Sequence, residues 1–560
     1  RDLRMSRGLG DVYKRQTFYW NNKQISLPGA YSTIVSGETG PARQLDYGKV
    51  LVIDTGTYSA GFGGGAGING ENTSGQNAIY TFDTISDFRG FMKGGLWWRV
   101  AEALFAPDPS NPDAVGVSQL QFVRAATTTG ATIAFATTSG GKFVIKTLDE
   151  GLVANGTLFG NTLLTTGYGA TFVAGVENPE KWIMQFWRGT YTGTYTDGLP
   201  YGDIAQNNAD PELVLESPEF NNIQELIDWA KNDSNFGLLF ALDSTSKMEG
   251  TGEVTQDDIT TALNSKPYIL ASGGTESFDA DDLNAVLDQI VGLDYSIVVT
   301  DQVGANANST TTKAVIKHIT QDAKFSHFLY ATGYDDPADF SKEITFAQAF
   351  NNCYVQLVHG GIGLVSAFDA QKIRWWPALY NTCAIVGRVS GKAPYIPVTF
   401  KSIGVDRVKH ILTESEKKKA LKYGILVTVL NDYSGKFEVL QGVNTLQDNA
   451  NLFNAKGQSY SIQFMRVVAQ INKELIVNAS IDLLGQENGV NANSLSAGAV
   501  KDWTVAYLQS RTATTEQDNL LLSFRDVVTT RKDDAYFTTY KIVVNNEITK
   551  LFFTGYLIRG

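Results

Sequence analysis

The chain has 560 residues, 43% hydrophobic and 19% charged, which excludes a disordered polymer and calls for several domains, since one core rarely grows past roughly 250–300 residues. A net charge of −12 excludes a protein that tracks phosphates with a basic face, so no nucleic-acid partner is expected. No run of about 18 apolar residues occurs, so no membrane insertion is expected.

Residues 1–16 are basic on an acidic chain (Arg1, Arg4, Arg7, Lys14, Arg15) and lack the apolar middle of a signal peptide. They resemble translated adapter sequence from metagenomic assemblies; the other reading is a genuine basic tail. Residues 17–49 read as an extended arm, with aromatic and β-branched residues around a turn at Pro28-Gly29. KVLVIDTG, from Lys49 to Gly56, is a short apolar run of the kind a buried strand needs. A glycine-rich loop follows, then a capped helix start at TFDTISDFRGFM, a helix at LWWRVAEALF, and a strand at Ser118–Ala126. TTTGATIAFATTSGG and KFVIKTL are β-like.

Residues 151–260 are the least regular stretch, with Gly-Thr-Tyr clusters and one amphipathic helix, NNIQELIDWAKN. Strand and helix then alternate over 261–366, which implies a parallel sheet with helices on its faces. There Leu283, Val286, Leu287 and Ile290 share one helix face. Further on, Thr413 and Glu416 form a capping box and Gly424 stops the helix it opens. Val467, Val468, Ile471 and Leu475 mark a long helix, Ala499–Arg511 another, and DAYFTTYKIVVNN and EITKLFFTGYLI close the chain as strands.

Chemical motifs are few. Asp54-Thr55-Gly56 looks like the carboxylate turn of an aspartic protease, but that chemistry needs two carboxylates and no second such triplet exists. Gly65–Gly70 spells GxGxxG, yet the residues after it are polar and turn-rich where a dinucleotide site needs a helix. The four histidines, His318, His327, His359 and His410, include no pair at i,i+4, and nothing marks a nucleophilic serine. Cys353 and Cys383 lie in apolar stretches outside any CxxC pair; buried free thiols are the preferred reading, with a disulfide still open. No catalytic residue, metal or cofactor is assigned. The lysines Lys417, Lys418, Lys419 and Lys422 are either a solvated helix face or a contact with an acidic partner.

Six segments, in order, resemble the contractile tail sheath family: Leu27–Val35; IYTFDTISDFRGFM with LQFVRAA; YILASGGTESFDADDLNAVLDQIVGLDYSIVVTDQ; Cys383–Val405; HILTESEKKKALKYGILVTV; and QFMRVVAQINKELIV. The fourth departs from the family pattern in lacking an acidic residue after the arginine, reading Arg388-Val389-Ser390. Residues 151–260 match no sheath segment.

The resemblance implies a non-enzymatic, multidomain α/β plus α+β protein. It would comprise an arm at 17–49, an α/β part of the body at 50–150, a β-rich peripheral insertion at 151–260, a non-catalytic subtilisin-like α/β domain at 261–395, and a C-terminal α+β domain with a terminal β-arm at 396–560. Its implied function is to polymerise helically around an inner tail tube in a phage tail, and to contract and drive the tube through an envelope. Implied partners are further copies of the chain, the tube protein, and baseplate and tail terminator proteins; the implied location is the virion, assembled in the bacterial cytoplasm. Inter-subunit links are expected on the arms through Phe18, Trp20 and Ile25 and through Ile548, Leu551, Phe553 and Leu557, because a strand from one subunit can add to a neighbour's sheet. The resemblance makes the tube the acidic partner of the lysine helix. The rival readings are another phage structural or surface-layer protein and, from a different class, an α/β hydrolase.

Overall fold

A computed structural model describes residues 18–20, 23–25, 46–55, 79–92, 95–125, 127–150, 154–159, 162–163, 167–188, 211–301, 310–334, 337–365, 373–447, 454, 458–484, 495–514 and 519–545. The chain divides into two compact units. The larger holds residues 47–452, 460–462 and 549–560; the smaller holds 1–46, 453–459 and 463–548.

The larger unit is built on a seven-stranded sheet. Its strands, in chain order, are β1 (Lys49–Asp54), β2 (Ile79–Phe82), β3 (Gln119–Arg124), β4 (Ile297–Thr300), β5 (Phe328–Thr332), β6 (Val355–Val358) and β7 (Ile425–Leu426). The spatial order is β7-β6-β5-β4-β1-β3-β2, and every neighbouring pair is parallel except β2 with β3. A parallel strand covered on both faces must be apolar at nearly every position. KVLVID, FLYAT and VQLV meet that demand, and all but Lys49 are buried.

On one face lie α3 (Ala280–Gln289), α4 (Thr310–Lys317), α5 (Phe340–Phe350) and α7 (Glu414–Tyr423). They share a core with the strands: Leu283, Val286 and Leu287 from α3, Val315 from α4, Ala347 from α5 and Ala420 from α7 against Leu51, Ile53, Val298, Leu329 and Leu357. On the other face Val50, Val52, Leu120 and Phe122 are buried, in the alternate positions of their strands. Phe122 there meets Phe88 of α1 (Ile85–Met92) and Trp97 of α2 (Gly95–Phe105). The helix α6 (Ala378–Ser390) is buried at all thirteen residues. It closes on α2 through Gly387, where a Cβ would lie 2.5 Å from the carbonyl oxygen of Ala103.

Between β3 and α3 the chain builds a separate β-rich module. One antiparallel sheet orders Phe240–Leu242, Lys142–Glu150, Thr127–Ala136 and Thr275–Ser277; a second orders Glu212–Glu216, Trp182–Arg188, Tyr168–Ala174 and Ile269–Leu270. Phe135, Phe143, Ile145, Tyr168, Met184 and Phe186 share its core with Ile223, Leu226 and Ile227 of the helix Ile223–Asn232. The 151–260 boundary read from sequence therefore cuts through this module, whose strands run from Thr127 to Ser277. Ala131, Ile133, Phe135, Phe143, Ile145 and Ala271 of that core come from outside 151–260, which the irregular composition of the stretch did not reveal.

The C-terminal boundary read at 396 also moves. β7 completes the parallel sheet, and the hairpin Thr428–Leu430 with Phe437–Val439 follows it within the same unit.

The smaller unit carries the helix Ile462–Asp482 from Gln463 onward, the helix Ala497–Ser510, and a ribbon of Ser523–Lys532 with Ala535–Val543, joined through Asp533-Asp534. Buried Glu474 ties this unit together: one oxygen accepts from Tyr507 Oη (2.9 Å) and Arg511 Nε (2.8 Å), the other from Gln470 (2.8 Å). Phe18–Trp20 and Lys23–Ile25 pair as an antiparallel hairpin, Phe18 opposite Ile25. Within the expected N-terminal arm the strand therefore turns back on its own chain. The second arm, Ile548–Ile558, lies outside the described residues.

Candidate functional site

In open α/β sheets, ligands gather at the C-terminal ends of the strands. Two polar groups sit there, the first buried and the second partly so. At the ends of β1, β3 and β4 are Asp54, Arg124 and Asp301, between 0 and 4% exposed. Asp54 accepts from Trp97 Nε1 at 3.2 Å and faces Arg124 Nε at 3.6 Å. Asp301 accepts from the Thr55 N–H and hydroxyl, each at 2.7 Å. Burial, and then the neighbouring charge of Asp54, hold the Asp301 carboxyl well above the usual carboxylate range. The chain thus supplies the second carboxylate that the sequence reading denied it. A search for a second Asp-Thr-Gly could not find it, because Asp301 comes from a strand 247 positions on. Protease chemistry needs an accessible pair, and this one is sealed. Gly65–Gly70 lies outside the described residues.

The second group joins α5, the end of β6 and the approach to α7. His359 Nδ1 lies 2.6 Å from Glu343 Oε2, and His359 Nε2 lies 2.8 Å from His410 Nδ1. His410 Nε2 stands 3.6 Å from Glu416 Oε1. The Tyr334 N–H donates to the other oxygen of Glu343 at 2.5 Å. Burial raises the Glu343 carboxyl above its ordinary value, against the pull of His359. Sequence spacing gave no sign of this row: His359 and His410 are 51 positions apart. The other two histidines bracket Tyr295, which hydrogen-bonds His318 at 2.9 Å and stacks on His327 at 3.9 Å.

The lysine helix is α7. Thr413 and Glu416 form the expected capping box, and Gly424 ends the helix at φ 72°. A side chain at Gly424 would also strike the Asn444 carbonyl. Lys417 is tied to Glu414 at 2.7 Å, while Lys418, Lys419 and Lys422 are exposed. Ile411, just before the cap, is 85% exposed. Four lysines against two glutamates leave this helix positive on an acidic chain.

Of the arm residues, Phe18, Trp20 and Ile25 lie on the N-terminal hairpin, and Ile548, Leu551, Phe553 and Leu557 lie outside the described residues. Cys353 and Cys383 are free and buried; burial pushes the Cys353 thiol up to about 12 and the Cys383 thiol higher still. Among the described residues no cluster of three metal-ligating side chains forms, and no helix is long and apolar enough to cross a membrane.

No family model matches the chain, and no curated protein matches it. Solved structures do. The sheath tail protein of Desulfitobacterium hafniense matches at a TM-score of 0.54 and 13% identity, over 91% of this chain and 99% of that one. The sheath tail protein of Listeria innocua matches at 0.47 and 14%, over 89% and 96%. The contracted helical sheath of the anti-feeding prophage matches at 0.35 and 12%, over 51% and 78%. The first of these likenesses shows that the chain has the fold of a sheath tail protein.

Proposed function

We propose that the chain is a structural subunit of a contractile sheath, polymerising helically around an inner tube and shortening to drive the tube forward. The observation that carries this reading is the match over 99% of the Desulfitobacterium hafniense sheath tail protein. The six sheath-like segments, in order along the sequence, support it independently. The role is structural rather than enzymatic, and no cofactor enters it. Phage tails and other contractile injection systems both use such subunits, and the phage tail is the setting the sequence resemblance favours.

Three features fit polymerisation. Contacts of two different surfaces on each subunit generate open helices rather than closed rings of two. The ribbon Ser523–Val543 has, among the described residues, no strand beyond its own pair, so both outer edges can accept a strand from another copy. The terminal segments, through Ile548, Leu551, Phe553 and Leu557 and through the hairpin bearing Phe18, Trp20 and Ile25, are the proposed donors. The exposed lysines of α7 face an acidic partner, with the tube as the proposed one. The module at 127–277 is proposed to project away from the tube. Baseplate and terminator proteins would cap the two ends.

Electron microscopy of the purified chain tests the reading. Hollow helical tubes or rings are the expected result. Single globular particles at every concentration and salt condition, including with tube protein present, would overturn it.

A further inference from the structure

The β-rich module between Thr127 and Ser277 has a core of its own and a charge of its own. It holds 19 of the chain's 58 aspartates and glutamates but only 7 of its 46 lysines and arginines. The difference, −12, equals the formal charge of the whole chain. Outside the module 39 acidic residues meet 39 basic ones, so the rest of the chain is neutral.

The fold carries part of this charge outward. The strands Thr127–Ala136 and Lys142–Glu150 form a hairpin that leaves the α/β body at Thr127 and turns at 137–141. Ten residues of strand set that turn about 30 Å from the exit. At the turn, the Thr138 N–H and hydroxyl donate to Asp258 at 2.8 and 2.9 Å, and Ser139 Oγ donates to the Glu253 carbonyl at 3.0 Å. Glu253 bridges to Asn222, and Phe220 nearby pairs with Trp182. The Glu219 carboxylate accepts from the backbone N–H groups of Glu177 and Asn178 at 2.6 and 3.2 Å. These bonds hold three further segments at the far end of the hairpin, where Glu177, Glu180, Glu253 and Asp257 are exposed.

We infer that the module is an electrostatic brake on self-assembly. Every copy carries the same charged module, so its charge opposes the approach of one copy to another, while the neutral remainder adds no net repulsion of its own. The inference rests on the sheath reading in one respect: polymerisation is the event being opposed.

The size of the effect follows from charge and screening. Two modules of charge −12 standing about 60 Å apart, screened over about 30 Å at 0.01 M salt, weaken association about tenfold per neighbouring pair. At 0.15 M the screening length is about 8 Å and the opposition disappears. The repulsion scales with the product of the two charges, so removing four charges from each module leaves roughly 0.4 of it, about a threefold effect.

The test uses the full chain with Glu177, Glu180 and Glu253 changed to glutamine and Asp257 to asparagine, all four exposed. The concentration at which polymer first forms is read by light scattering between 0.01 and 0.15 M salt. Per neighbouring pair it should fall about tenfold in wild type and about threefold in the variant. A chain with residues 128–276 replaced by a linker, should the variant fail to fold, is expected to show no fall. Equal salt slopes in wild type and variant, or a slope kept by the linker chain, would overturn the inference. Polymer at no salt concentration would instead reject the sheath reading. The brake is then decided by scattering from monomers: repulsion at 0.01 M that is present in wild type and absent from the linker chain supports it, and repulsion equal in both overturns it.

Discussion

Ser277 pairs with Thr127 across the last and first strands of the β-rich module, so the module leaves and re-enters the α/β body at adjacent positions. Replacing residues 128–276 with a short linker should therefore leave the seven-stranded sheet folded and tube formation intact. Deleting 151–260 alone should fail, because Phe135, Phe143 and Ile145 would lose Met184, Phe186 and Ile223 from their shared core. Losing buried contacts of that size costs about 3–5 kcal/mol for even one large side chain. Circular dichroism and electron microscopy of both deletions check this; a folded 151–260 deletion would reject the module boundaries.

Reversing Lys418, Lys419 and Lys422 to glutamate should weaken binding to an acidic tube on the order of tenfold or more at low salt, with the difference shrinking as salt rises. Stability should move by less than about 1 kcal/mol, since all three are exposed. Lys417 is better left in place, because its bond to Glu414 supports the helix itself. Co-sedimentation with tube protein across a salt series is the measurement. Unchanged binding at low salt would make the lysines a solvated face.

Chains ending at Asn545, and chains lacking residues 1–26, should each remain soluble and folded but form no tubes. The ribbon Ser523–Val543 would persist in both, since its two strands bond to each other. Light scattering and microscopy decide. Assembly by both truncated chains would reject the arm mechanism.

Asp301 provides a pH-dependent element, of opposite character to an ordinary surface carboxylate. Its folded-state pKa is raised, so its contribution is present at low pH and is lost as pH rises from about 4 through the folded value, at up to about 1.4 kcal/mol per pH unit. Asp301→Asn keeps the acceptor for Thr55 and removes the charge beside Asp54. The variant should gain stability over wild type at pH 7 and above, read as a higher denaturant midpoint. Equal midpoints across that range would show that Asp301 is not protonated in the folded chain.

Much of the scaffold was legible because its rules are local. KVLVID, FSHFLYATG and the α3 face could be read from apolar spacing, and the Thr413–Glu416 box and Gly424 stop from capping chemistry alone. Long-range pairing was not legible. SFRDVVTTRK carries arginines, an aspartate and a lysine and escaped notice as a strand, yet it pairs with Ala535–Val543 along almost its whole length. The N-terminal aromatic run has the alternation of an arm, but nothing in that alternation tells a strand donated to a neighbour from one that turns back on itself. The site residues were invisible for the same reason: Asp54 with Asp301, and His359 with His410, become neighbours only when separate strands and loops are brought together.

The complete burial of α6 has a consequence for how the larger unit opens. A helix with all thirteen residues shielded can exchange its amide hydrogens only when the layers around it come apart. In heavy water its amides should be the slowest clock in the unit, running at the rate of global opening. The helix then serves as an internal timer: whatever shifts the lifetime of the native unit, whether assembly, contraction or a proton, is recorded in the isotope content of residues 378–390.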